Sequence, residues 1–204
     1  MKKYIIAILT SLFVITSQAA LTTVTWANGH SPSGGEFVMT QDSVPTFNSF
    51  CLEENQYLTV GGTYNYQVSN ATDGGVNGAP DPISIGTAWL YSNFRNGTLT
   101  GYNSNSTQQE QLQNAVWYLE NEITDTSNLG GWINLAQSSL VNVNLFSDAN
   151  GAYGVNVWNL YDGQGNPAQS QLAMVPEPTT MIAGVLLLIP FLGSTITRKF
   201  ICKG

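Results

Sequence analysis

Between residues 20 and 175 this 204-residue chain has no lysine, and Arg95 is the sole basic residue there. Against it stand twelve Asp and Glu, a formal net charge of −11 over that stretch. Such an acidic excess keeps an exported surface soluble and repels phosphate backbones, which argues against nucleic acid as a partner. Histidine is equally scarce: His30 stands alone, inside Gly29-His30-Ser31-Pro32-Ser33-Gly34-Gly35, a loop composition. A Ser/His/Asp or Cys/His arrangement would depend on that one loop residue, so the expectation is a protein that is not an enzyme. Glu53-Glu54 and the alternate pair Glu120 and Glu122 do not face each other as an acid and a base must, and they read as solvated. The Asp-rich stretches 73–81, 148–151 and 162–166 match no EF-hand loop and read as turns. No metal and no cofactor is expected.

Long apolar runs are confined to the two ends. Lys2 and Lys3 precede Tyr4 to Ile15, which closes on Thr16-Ser17-Gln18-Ala19-Ala20, the pattern of a secretory signal peptide over residues 1–19. Cleavage after Ala19 puts small residues at both recognition positions, with Ala20 as the neighbouring alternative. At the other end an uncharged apolar run over residues 181–197 is followed by Arg198 and Lys199, which belong on the cytoplasmic side of a membrane. Its length is marginal for a stable span and Pro190 interrupts it, so it reads as a sorting device more than a strong anchor.

The element Val175-Pro176-Glu177-Pro178, the apolar run and the basic end occur in the order that resembles the PEP-CTERM sorting signal of Gram-negative bacteria, over residues 175–204. That resemblance implies an exosortase-type processing enzyme as partner, transient anchoring in the inner membrane, removal of the tail, and delivery to the cell surface or extracellular matrix. An ordinary tail anchor behind a Pro-rich spacer is the competing reading.

Residues 20–174 are enough for one domain with its own core. Up to Gly75 the chain is rich in branched and aromatic residues between Gly, Pro and Asn breaks, and strands are predicted at 22–26, 36–39, 47–52 and 63–68. Asp81-Pro82 then reads as the start of a helix running to Phe94. A stronger helix is predicted from Thr107 to Ile123, capped by Ser106 or Thr107, because Leu112, Ala115, Val116, Leu119 and Ile123 recur at three- and four-residue spacing. A third helix from Trp132 toward Phe146 and strands at 155–160 and 169–174 complete an α+β domain, a mainly antiparallel sheet with inserted helices.

Cysteine leaves one residue to explain. Of the two in the chain, Cys202 lies in the tail, so Cys51 would stand alone in a compartment where thiols pair or oxidise. A buried inert thiol and an intermolecular disulfide are the plain accounts. The surroundings suggest another. Phe50-Cys51-Leu52-Glu53, followed by Leu112-Gln113-Asn114-Ala115-Val116-Trp117, resembles in content and order the half-sites of the Cys–Gln thioester domains of surface adhesins, over residues 47–125. The resemblance implies that Cys51 and Gln113 join in an internal thioester that a target amine or hydroxyl opens. Phe50 and Trp117 would shield it from water, and the absence of internal lysine removes competing amines. The target would be a surface polysaccharide or protein. The alternative is a non-reactive structural or polysaccharide-contacting matrix protein on the same scaffold.

Overall fold

The computed structural model describes residues 21–174, apart from residues 29, 31–33, 42–43 and 77. The expected signal peptide and the sorting tail, including Val175, Pro176, Glu177, Pro178, Arg198, Lys199 and the run 181–197, lie outside the described residues. Among those described, no helix is long and apolar enough to cross a membrane.

Among the described residues, eight strands and three α-helices follow in the order β1 (Leu21–Trp26), β2 (Phe37–Gln41), β3 (Val44–Ser49), β4 (Thr63–Ser69), β5 (Ala71–Thr72), β6 (Asp81–Pro82), α1 (Ile85–Arg95), α2 (Ser106–Leu119), α3 (Trp132–Ser139), β7 (Val155–Tyr161) and β8 (Gln171–Met174). The main sheet has the order β3-β2-β1-β4-β7-β8, and every pairing in it is antiparallel. A shift of register between Met39 and Thr40 marks an irregularity in β2, of the kind that adds bend and twist to a sheet. Its two outer strands come together where Cys51 bridges Gln171, so the sheet is nearly closed. The fold is thus α+β, as the alternating and helical patterns predict.

Strand alternation sorts the core into two layers. Val155, Val157, Leu172, Phe50 and Leu52 face the helices, whereas Trp158, Leu160, Ala173 and Cys51 face the inside of the curved sheet. On α2, Leu112, Ala115, Val116 and Leu119 are all at most 1% exposed and form the helix-side stripe. Truncating Leu112 to alanine would cost about 2–5 kcal/mol, because the close-packed stripe leaves a cavity behind.

Helix boundaries differ from the sequence expectation for identifiable reasons. Asp81-Pro82 pairs with Ala71-Thr72 as a short strand, and α1 starts after Ser84, whose hydroxyl accepts from Thr87 N at 3.1 Å. The cap of α2 is Asn105, which accepts from Gln108 N at 3.0 Å. The helix stops at Leu119, short of Ile123, because Asn121 takes a left-handed conformation with φ 58°. Asn121 N then bonds Tyr118 O at 3.2 Å and Glu122 N bonds Trp117 O at 2.9 Å, a Schellman ending with asparagine in glycine's usual place. The third helix also ends early, at Ser139, where Leu140 leaves the helical conformation with φ −102° and ψ 63°.

Candidate functional site

The seam that closes the sheet fixes the orientation of Cys51. Leu52 N donates to Ser170 O and Leu172 N to Phe50 O, both at 3.1 Å. These bonds flank the bridge between Cys51 and Gln171, so that pair is of the non-hydrogen-bonded kind, with opposed side chains close together on one face. Gln171 Nε2 accordingly donates to Cys51 Sγ at 3.1 Å. The same geometry turns the N–H and C=O of Cys51 away from β8.

There α2 meets them. Gln113 Oε1 accepts from Cys51 N at 2.9 Å, and Gln113 Nε2 donates to Cys51 O at 2.8 Å, so one carboxamide takes the place of a neighbouring strand. The carboxamide carbon thus lies between two bonds to the backbone of a single residue, the one that carries the thiol. All three side chains are sealed from water: Cys51 is 2% exposed, and Gln113 and Gln171 are fully buried.

Helical spacing puts Gln109, Gln113 and Trp117 in one row on α2, beside the apolar stripe. Gln109 Nε2 ties the row to the chain after β1 by donating to Asn28 O at 3.0 Å. Gly34, at φ +116°, rests on the next two: a Cβ there would stand 3.3 Å from Gln113 Cγ and from a ring carbon of Trp117. Glycine is required both for that conformation and for so close an approach.

A cavity of about 350 Å³ opens beside Cys51 between the rings of Trp26, Phe37 and Trp117, with Leu58, Glu54 and Gln169 also on its wall. His30 stacks on Trp26 with ring centroids 4.6 Å apart. Phe50, the other expected shield, points the opposite way, into the helix-side core, where it meets the Phe94 ring edge-on at 5.0 Å. Trp26 and Phe37 therefore join Trp117 on the sulfur side, and Phe50 closes the side facing α1.

Burial pushes the Cys51 thiol well above its ordinary range; the Gln171 hydrogen bond opposes this and the nearby Glu53 charge adds to it. At rest the sulfur is a neutral thiol. The carboxylates read from the sequence as solvated are mostly not: Glu53, Glu120 and Glu122 are buried, and Glu54 alone of the four is exposed. Each buried one serves backbone N–H groups. Glu53 Oε2 accepts from Ser170 N at 3.0 Å, Glu120 accepts from Ser84 N, and Glu122 accepts from Val76 N and Glu54 N. Burial raises the pKa of all three, that of Glu120 to about 7. Asp162 behaves as a turn residue, accepting from Gln164 N and Asn166 N. Among the described residues no three His, Cys, Asp or Glu are grouped to hold a metal ion.

Gln171 is the site residue that the sequence reading missed. The signal was present: Gln169-Ser170-Gln171 is a polar run at the head of a strand whose other residues are apolar, and all three are buried. Compared with known proteins, the chain matches no family model, no curated protein and no solved structure.

Proposed function

We propose that this is an exported cell-surface or extracellular-matrix protein of the thioester-domain type, which attaches covalently to its target through Cys51 and Gln113. The observation that carries the reading is the reciprocal pair of hydrogen bonds between the Gln113 carboxamide and the backbone of Cys51, in a dry niche with a cavity beside it. The sulfur adds to Gln113 Cδ, and the oxygen that becomes negative is the one already held by Cys51 N–H, an oxyanion donor in place before the reaction. The thiol proton passes to the departing nitrogen, ammonia leaves, and a Cys–Gln thioester remains. A target amine or hydroxyl then takes the acyl group, and its proton returns the sulfur to a thiol. Each molecule reacts once, without turnover and without a cofactor.

The amino-terminal leader and the Pro-Glu-Pro tail supply the address in this reading: export, transient anchoring in the inner membrane, processing by an exosortase-type enzyme and release to the surface. Mass analysis of protein recovered from the producing cell surface checks it, since a retained carboxy-terminal peptide would reject tail removal.

Intact mass decides the chemistry. The folded protein should weigh one ammonia less than its sequence, Cys51→Ala should restore the sequence mass, and methylamine should add once to the native protein. An unshifted mass with one titratable thiol after denaturation would reject the thioester.

A second reading has its own observation in favour. Gln113 satisfies two buried backbone groups of Cys51 as a strand would, which is reason enough for a glutamine there in a non-reactive matrix scaffold. That reading expects polysaccharide binding or self-association unaffected by Cys51→Ala.

A further inference from the structure

The hydrogen bond to the sulfur comes from a residue outside the two motifs. Gln171 is fully buried, its Nε2 donates to Cys51 Sγ at 3.1 Å, and its Oε1 is buried without a partner. A side chain that only filled space in this seam would be better apolar, because a half-satisfied amide in a dry core is a standing cost. The flanking backbone bonds, Leu52 N to Ser170 O and Leu172 N to Phe50 O, hold position 171 opposite position 51 whatever side chain it carries. What glutamine adds to that register is a donor aimed at the sulfur.

We infer that Gln171 is a positioning residue for Cys51, holding Sγ toward the Gln113 carboxamide and stabilising the negative charge the sulfur carries as the acyl–sulfur bond forms and breaks. The inference rests on the thioester reading above. In the opening step the C–S bond breaks as the C–N or C–O bond to the target forms, the electron pair goes to sulfur, and the nucleophile's proton ends on it. Between those events the sulfur is a thiolate in a site that burial makes hostile to charge, with the charge of Glu53 acting against it as well. The Gln171 amide is the group in place to oppose both. Its vacant Oε1, on the same carboxamide, leaves an acceptor near the sulfur for an N–H or O–H of the incoming group.

The test compares the native protein with Gln171→Leu and Gln171→Glu. Methylamine opening, followed by intact mass, should slow about tenfold or more in Gln171→Leu, the weight of a hydrogen bond to a charged atom. Gln171→Glu keeps the shape but donates only when protonated, so its opening rate relative to native should recover as pH falls. A second arm needs no thioester: in the Gln113→Ala background, alkylation of Cys51 by iodoacetamide should slow by a similar factor when Gln171→Leu is added. A purely structural role predicts the reverse, since a loosened seam exposes the sulfur and speeds alkylation. If the native protein shows no loss of ammonia, the thioester reading fails and the alkylation arm alone decides the role of Gln171. If the native protein forms the thioester and both variants open at its rate, the inference about Gln171 is overturned and the thioester stands. Should Gln171→Leu fail to fold, Gln171→Glu decides: a rate ratio flat with pH overturns the inference.

Discussion

Cys51 and Gln113, 62 residues apart in the chain, exchange two hydrogen bonds through one carboxamide and the backbone N–H and C=O of one residue. The relationship follows from sheet geometry. In a non-hydrogen-bonded pair with Gln171, Cys51 must direct its N–H and C=O outward, and an outward-facing peptide group buried under a helix requires a partner with both a donor and an acceptor. Glutamine is a side chain with that combination and the reach to deliver it from a helix.

Removing the clamp should therefore destabilise the fold apart from any covalent bond. In a Cys51→Ala background, where no thioester forms, Gln113→Ala leaves two buried backbone groups unpaired, at about 1–3 kcal/mol each. Urea unfolding of the single and double variants measures the difference. A loss smaller than about 1 kcal/mol would mean that water or a backbone shift replaces the carboxamide.

Opening the proposed thioester should lower stability as well. A bond between residues 51 and 113 closes a loop of 62 residues, which by chain entropy restrains the unfolded state by about 4 kcal/mol. The melting temperature of the native protein should drop after methylamine treatment, and that of Cys51→Ala should not change. Equal responses of the two would show that methylamine acts elsewhere.

Much of this arrangement was legible in the sequence and part was not. Periodicity finds α2 and its stripe because Leu112, Ala115, Val116 and Leu119 bury one face. It overruns to Ile123 because Asn121, with φ 58°, ends the helix by backbone conformation and not by polarity. The pairing of Cys51 with Gln113 is legible as two motifs. The role of Gln171 is not, because it arises only when the two edges of a six-stranded sheet meet. Nor does local sequence distinguish a solvated carboxylate from Glu53, whose burial depends on Ser170, 117 residues away.

The wall of the cavity should control how long the proposed thioester survives. Trp117 lines the space beside Cys51, and its indole N–H is buried without a partner. Trp117→Phe keeps most of the wall and removes that unpaired donor, so the mass deficit should persist with stability unchanged or improved. Trp117→Ala opens a channel to the sulfur, and water should add to the acyl group within the time of purification, seen as replacement of the ammonia deficit by a mass slightly above that of the sequence, the difference between glutamate and glutamine, because the product carries glutamate at 113 and a free thiol. Retention of the intact thioester in Trp117→Ala would show that Trp26 and Phe37 suffice.

Glu120 ties α2 to the start of α1 by accepting from Ser84 N at 3.1 Å. Burial, with a smaller contribution from the charge of Asp81, raises its pKa from 4.5 to about 7. A folded-state pKa above the unfolded value means that the native state binds the extra proton, so the proton stabilises the fold. That contribution is fully present below about pH 4.5, declines as pH rises through the window to about 7, and is gone above it. The same direction holds for Glu53 and Glu122, whose carboxyls burial also raises. The domain should thus be more stable at pH 5 than at pH 8, with a contribution from Glu120 on the order of 3 kcal/mol. Glu120→Gln keeps an oxygen for Ser84 N and carries no charge to bury, so it should raise stability at pH 8 and flatten the slope between pH 5 and 8. Urea unfolding of both proteins at the two pH values measures this, and a native protein that weakens on acidification over that range would contradict it.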